Sequence, residues 1–134
     1  MLFGEEHTRT YRETGGETGH EWRPGVFTLL LTTTGRRSGQ PYTAPLIYGR
    51  DDDDYVVVAS KGGAPADPDW YRNLEANPLV ELQIGAEVLE ATARTASGEE
   101  RERLWRMMAA IWPDYDSYAE RTDRQIPVVV LSAS

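Results

Sequence analysis

Cysteine is absent from the 134-residue chain. That removes disulfides, thiolate nucleophiles and cysteine-ligated metals together. Histidine is nearly absent: His7 and His20 alone could supply imidazole, and both lie in a polar N-terminal stretch. A histidine-rich metal centre or a Ser–His–acid triad therefore has little to be built from, and no paired-carboxylate motif stands out in their place. No apolar run approaches the roughly 18–20 residues of a membrane span. Met1-Leu2-Phe3 passes directly into Gly4-Glu5-Glu6, unlike a signal peptide. A cytoplasmic protein without membrane association is expected. Positive charge is scarce, 14 Lys+Arg against 22 Asp+Glu for a net charge of −8, and Lys61 is the only lysine. Such a surface repels nucleic acid and anionic lipid on average.

What is present is a strand-rich pattern with a few helices. Residues 1–24 are polar, with Glu5 to Glu13 read as a short helix broken by Gly15, Gly16 and Gly19. Residues 25–134 read as one domain. Val26–Thr33, Thr43–Tyr48 and Tyr55–Ala59 read as strands of an antiparallel meander, with Asp51–Asp54 a solvated acidic turn. Asp67 is expected to cap a helix with Pro68 at its first position, stopped by Asn77-Pro78. Val80–Ile84 and Leu89–Ala93 alternate as half-buried strands. Ser97 and Glu100 have capping-box spacing. Leu104, Met107, Met108 and Ile111 follow as one apolar helical stripe. Asp114 can cap a further short helix, and Val128–Leu131 closes the chain as a strand. The order β-β-β-α-β-β-α-α-β predicts an α+β fold built as a small barrel.

Four segments could carry chemistry. Thr32 to Gly39 couples hydroxyls, a glycine turn and the adjacent Arg36 and Arg37, followed by Ser38. Guanidinium forks beside a backbone nest suit a phosphate, although an ordinary hairpin with surface arginines has the same look. Ser60-Lys61-Gly62-Gly63 leaves a buried strand through glycines that let a ligand approach the backbone; an exposed loop would read alike. Pro68, Trp70 and Asn73 lie near a helix start, where the indole either walls in a flat ligand or packs in the core. Trp112, Tyr115 and Tyr118 are spaced by three, an aromatic stripe that either packs inward or forms a substrate wall with phenol donors. Without an obvious nucleophile or acid–base pair, a bound cofactor is the economical source of reactivity.

Together these segments resemble the deazaflavin (F420)-dependent nitroreductase family. The matching strings are Leu30–Gly39 (LLTTTGRRSG), Val57–Gly63 (VVASKGG), Asp67–Pro78 (DPDWYRNLEANP) and Trp112–Val130, in the family's order and spacing. The resemblance implies a split β-barrel of the FMN-binding type. It implies hydride transfer from reduced coenzyme F420 to a small electron-poor acceptor: a quinone, a nitroaromatic such as a nitroimidazole, or an activated enone. By the same resemblance Arg37 and Ser38 meet the cofactor phosphate, assisted by Arg36, and Lys61 meets the acidic tail or ring edge. Gly62 and Gly63 flank it, and Pro68, Trp70 and Asn73 line the ring. Ser60, Tyr115 and Tyr118 would hydrogen-bond the acceptor oxygen, with Trp112 beginning the substrate wall. Gln40 and Tyr42 stand where a nitroimidazole-activating relative has further basic residues. FMN as cofactor, or a non-catalytic carrier of a cofactor or fatty acid, are the rival readings. A monomer and a homodimer are both compatible with the sequence.

Overall fold

The computed structural model describes residues 4–133. Helix α1 spans Gly4–Thr14, followed by strands β1 (Glu21–Arg23), β2 (Val26–Thr34), β3 (Pro41–Ile47), β4 (Gly49–Asp51) and β5 (Asp54–Val58). A single 3-10 turn, Lys61–Gly63, leads to α2 (Asp69–Ala76). Then come β6 (Leu79–Ile84), β7 (Glu87–Thr95), α3 (Gly98–Ile111), α4 (Asp114–Glu120) and β8 (Val128–Ala133).

The strands form one antiparallel sheet in the order β1-β2-β6-β7-β8-β5-β4, with β3 on the other side of β2. β3 pairs with β2 from Thr28↔Ile47 to Thr34↔Pro41, and β4 pairs with β5 at the far end of the path. Only Tyr48 separates β3 from β4. One bent stretch of chain therefore supplies both margins of the sheet, which curls into a split barrel. The Tyr48 N–H donates to the Phe27 carbonyl at 3.1 Å, holding the bend against β2.

The near-continuous valine runs of β5 and β8 follow from burial on both faces. Tyr55, Val57, Val129 and Leu131 enter one core with Leu29, Leu31 and Leu82, while Val56, Val58, Val128 and Val130 enter a second core beneath α3 and α4. A strand covered on both sides loses its polar alternation, and each such side chain contributes about 1.5–3 kcal/mol. α2 lays Trp70, Tyr71 and Leu74 into the first core, and α3 lays Leu104 and Met108 into the second. Gly49 lets α3 approach, since a Cβ there would sit 2.7 Å from Met108 Sδ.

Several local expectations change. The meander breaks after β3: β5 pairs with β8 and β4 instead, Val57 opposite Val129, because a strand with two apolar faces takes an interior place. The short, polar β1 was not legible as a strand. Asp67 does not cap α2. Pro68 occupies the cap position and the Asp67 carboxylate accepts from Arg124 at 2.8 Å. The capping box is not formed either: the Ser97 side chain makes no cap hydrogen bond, and Glu100 accepts two bonds from Arg94, at 2.7 and 2.9 Å. A charged bidentate pair outcompetes a bond to one backbone N–H. Asp114 opens α4 from inside the helix, with Pro113 at the cap. The acidic turn is not merely solvated, because Asp51 is held by both Arg103 nitrogens, at 2.8 and 3.0 Å.

The N-terminal helix packs on the barrel through His7 and Tyr11. The Tyr11 hydroxyl donates to the Thr28 carbonyl at 3.0 Å and accepts from the Gly85 N–H at 2.7 Å. Burial pushes its phenol up to about 12, so it stays protonated.

Candidate functional site

The arginine turn joins β2 to β3. Its backbone is closed by the Gly35 N–H donating to the Gln40 carbonyl at 2.8 Å and the Gly39 N–H to the Gly35 carbonyl at 2.9 Å. Gly39 has φ +70, a conformation that suits glycine. Arg36 is turned inward: its backbone N–H and Nη1 donate to Asn73 Oδ1 at 3.2 and 2.9 Å, and Nη2 lies 3.4 Å from Asp69 Oδ1. Asn73 is 3% exposed and donates from Nδ2 to Thr33 Oγ1 at 3.1 Å, so it ties the turn to β2. Arg37 and Ser38 are exposed, and Arg37 has no ion-pair partner among the described residues. A cleft of about 380 Å³ opens here, lined by Arg36, Arg37, Ser38, Tyr42, Asp69 and Asn73 among others. Of two adjacent arginines, one braces the turn and the other projects its charge into solvent.

A second cleft, of about 270 Å³, brings together Ser60, Gly62, Trp112, Tyr115 and Tyr118. Its other walls are Gly4 and His7 of α1, Trp22, Thr28, and Pro45 to Ile47 of β3. α4 can lie this close to the 3-10 turn because residue 63 has no side chain. A Cβ on Gly63, which has φ +81, would sit 2.7 Å from the Tyr118 carbonyl oxygen. Tyr115 is 5% exposed and meets Tyr118 edge-on, with centroids 6.1 Å apart. Burial drives the Tyr115 phenol well above its ordinary range, so it remains a neutral donor. The Tyr118 hydroxyl oxygen accepts from Trp112 Nε1 at 3.4 Å, which leaves its own proton to donate. The Trp22 ring lies 5.5 Å from that of Trp112, tilted by 50°, on the same wall.

The loop holding Ser60 is braced by Arg124, which the sequence reading missed. Its side chain is 14% exposed. Nε donates to the Ala64 carbonyl at 2.8 Å, Nη2 to the Ser60 carbonyl at 2.7 Å, and Nη1 to the Ala59 carbonyl at 3.3 Å and to Asp67 at 2.8 Å. One guanidinium thus satisfies carbonyls on both sides of the turn, where Lys61 takes φ +47 and points outward as an exposed side chain. No sequence signal marks such a brace, because its acceptors are backbone atoms about sixty positions away. His7, Trp22 and Thr28 were also missed as cleft residues. Pro68 and Trp70 line neither cleft: both are buried, and Trp70, 5% exposed, packs with Tyr71 in the first core.

Between the two clefts lies a third, of about 750 Å³, walled by α1 on one side and Pro41 to Pro45 on the other. It shares Pro41 and Tyr42 with the arginine cleft, and Gly4 and Pro45 with the aromatic one. Arg12 reaches across it, donating to Thr43 Oγ1 at 2.8 Å. The three clefts adjoin along the 7-residue β3, roughly 20 Å at about 3.3 Å per residue. Anion donors at one end and flat, hydroxyl-bearing walls at the other fit an elongated ligand with a phosphate and an aromatic ring.

Comparison with known proteins gives the family. The family profile described as F420H2-dependent quinone reductase matches residues 3–133. An F420H2-dependent quinone reductase of Mycobacterium tuberculosis is 43% identical over 129 residues, which is 94% of this chain and 87% of that one. A solved structure described as an F420H2-dependent reductase, FDR-A, aligns with a TM-score of 0.73 and 44% identity over 78% of this chain and 93% of its own. Another, described as a domain-swapped dimer, aligns at 0.77 and 40% identity over 96% of this chain and 95% of its own. With a match spanning nearly every residue, this chain belongs to the F420H2-dependent quinone reductase family of oxidoreductases.

Proposed function

We propose that this chain reduces a quinone-type acceptor held in the aromatic cleft, using reduced F420 bound along β3. The observation that carries the reading is the succession of adjoining clefts along β3, from Arg37, which has no ion-pair partner among the described residues, to the hydroxyls of Ser60, Tyr115 and Tyr118. Arg37 and Ser38 would hold the phosphate, with Arg36 and Asn73 fixing the turn beneath it. The exposed Lys61 would meet the acidic tail, and Gly62 and Gly63 would let the ring come close to the backbone. When bound, the reduced deazaflavin supplies a hydride.

The chain's own contribution is positioning and electrostatics. Tyr118 donates a hydrogen bond to the acceptor oxygen, and Ser60 offers a second. Tyr115 keeps its proton and shapes the floor. Trp112 and Trp22 hold a flat ring and exclude water. Phenol and alcohol hydroxyls stabilise developing negative charge by donating hydrogen bonds without giving up their protons, so the proton that completes reduction comes from solvent. The acidic surface and the absence of cysteine fit action in the cytoplasm. The relative described as a domain-swapped dimer supports a homodimer.

The test is a titration with oxidised F420 followed by tryptophan fluorescence, with FMN as the parallel control and a quinone reduction assay on the loaded protein. Trp112 and Trp22 on the cleft wall should be quenched at micromolar or lower F420, with FMN binding weakly and menadione reduced. Tight FMN binding alone would move the chain to flavin chemistry. Tight F420 binding without reduction of any quinone would make it a carrier.

A further inference from the structure

His7 is one of the few buried polar side chains, 3% exposed on α1, and it takes no part in the reading above. It nevertheless lines the aromatic cleft, together with Thr28, Ser60 and Tyr118. Its Nε2 lies 3.1 Å from the Gly19 carbonyl oxygen and 3.1 Å from Thr28 Oγ1. A carbonyl oxygen can only accept, so Nε2 carries the proton. Thr28 gives its own proton to the same carbonyl at 2.6 Å, which leaves its oxygen free to accept from His7. The neutral imidazole therefore has one tautomer, with a bare lone pair on Nδ1. Burial lowers the pKa below the ordinary 6.5, which keeps that form at neutral pH.

Two further observations aim the lone pair. The Cδ2–Nε2 edge of the ring is pressed against Gly19, where a Cβ would sit 3.1 Å from both atoms, so Nδ1 is on the edge turned away from Gly19, in a residue that lines the cleft. Nδ1 has no hydrogen-bond partner among the described residues, and it is not among their sealed, unpaired polar atoms. Every other polar side chain lining the cleft is a hydroxyl or an indole, able to donate. His7 Nδ1 is thus the one side-chain atom there, among the described residues, that can only accept.

We propose that His7 is a specificity-determining contact of the cleft, whose Nδ1 accepts a hydrogen bond from a ligand hydroxyl. The proposal rests on the quinone reading of the cleft. A quinone oxygen presents only lone pairs and is repelled from that edge, so the oxygen undergoing reduction faces Tyr118 and Ser60. A quinol carries O–H at the same ring positions and satisfies both sides at once. The cleft therefore holds the reduced product more tightly than the quinone, and it favours acceptors bearing a hydroxyl or N–H opposite the reacting oxygen.

The probes are 1-naphthol and 1-methoxynaphthalene, matched aromatic rings with and without a hydroxyl donor, used as inhibitors of menadione reduction by the F420-loaded enzyme. His7→Gln is the variant, because its amide N–H can still reach the Gly19 carbonyl while the acceptor at the Nδ1 position is lost. In the unmodified protein the naphthol should inhibit about tenfold more tightly than the ether. In His7→Gln, with the thermal midpoint retained, that ratio should fall towards one. In protein labelled with 15N-histidine, only His7 and His20 give imidazole signals. The unprotonated His7 Nδ1 resonance, identified by its loss in His7→Gln, should move with naphthol and stay put with the ether. An equal ratio in both proteins, or a protonated Nδ1 at neutral pH, overturns the role of His7 and leaves the quinone reading standing. Failure of both aromatics to compete with menadione overturns that reading and the proposal with it.

Discussion

At one end of β3, five consecutive residues, Gly35 to Gly39, make the arginine turn; at the other, the aromatic cleft draws its lining from positions as distant as Gly4 and Tyr118. The first is wet and local. Its donors are screened by salt and exchange readily with water, so it suits binding. The second is aromatic, mostly apolar and assembled by tertiary contacts, where a single hydroxyl counts for more because few other polar groups can replace it. On the proposed function, a phosphate anchor and a reaction chamber would place these opposite demands on the fold, and this barrel would meet them at opposite ends of one strand.

The comparison can be broken most forcefully at Arg124. Replacing it with Met removes four hydrogen bonds to the Ala59–Asp67 loop and leaves carbonyls unsatisfied. A loss of about 2–3 kcal/mol is expected, the scale of hydrogen bonds to a charged group, read as a lowered urea midpoint. Turnover should fall more than F420 affinity, and an unchanged midpoint would show that the loop holds without its brace. Tyr118→Phe keeps the ring and removes the donor, so kcat should drop about tenfold with the F420 Kd unaltered in a fluorescence titration. A matching loss of affinity would erase the distinction between the two ends.

Arg37→Ala should do the reverse, raising the F420 Kd about five- to tenfold and flattening its salt dependence, with kcat at saturation preserved. Arg36→Ala should disturb the turn as well, because that side chain is bonded to Asn73. The smallest effect concerns pH. His7 titrates below its ordinary 6.5 when folded, so the unfolded chain takes up its proton first. Its contribution to stability is complete above about pH 6.5 and is lost as pH falls towards the lowered folded value. Between pH 6.5 and 5 the thermal midpoint should therefore decline more steeply in the unmodified protein than in His7→Gln. Parallel curves would place His7 in a better-solvated setting than its burial implies.

Legibility in the sequence followed the same division. The arginine turn reads directly, because its donors and glycines are consecutive. Trp112, Tyr115 and Tyr118 read as a stripe, and they do share a cleft wall. Trp70 had equal aromatic character but sits in a core, since periodicity tells which side chains share a face and not what covers that face. The valine runs of β5 and β8 announced two buried strands without naming their neighbours: apolarity on both faces carries no register information. His7 and Arg124 escaped notice for a related reason. Their roles depend on the carbonyls of Gly19, Ser60 and Ala64, and a backbone acceptor has no residue type.

The pairing of β5 with β8 also bears on how the chain is made. Val58 lies opposite Val128, roughly seventy residues later. At the ribosome's pace of about 5–20 residues per second, the apolar strand Asp54–Val58 emerges several seconds before its central partner. During that interval only the three-residue β4 can pair with it, and a valine-rich edge of this kind readily joins other chains. Nascent copies crowded on one message are therefore most vulnerable to each other just before the last strand arrives.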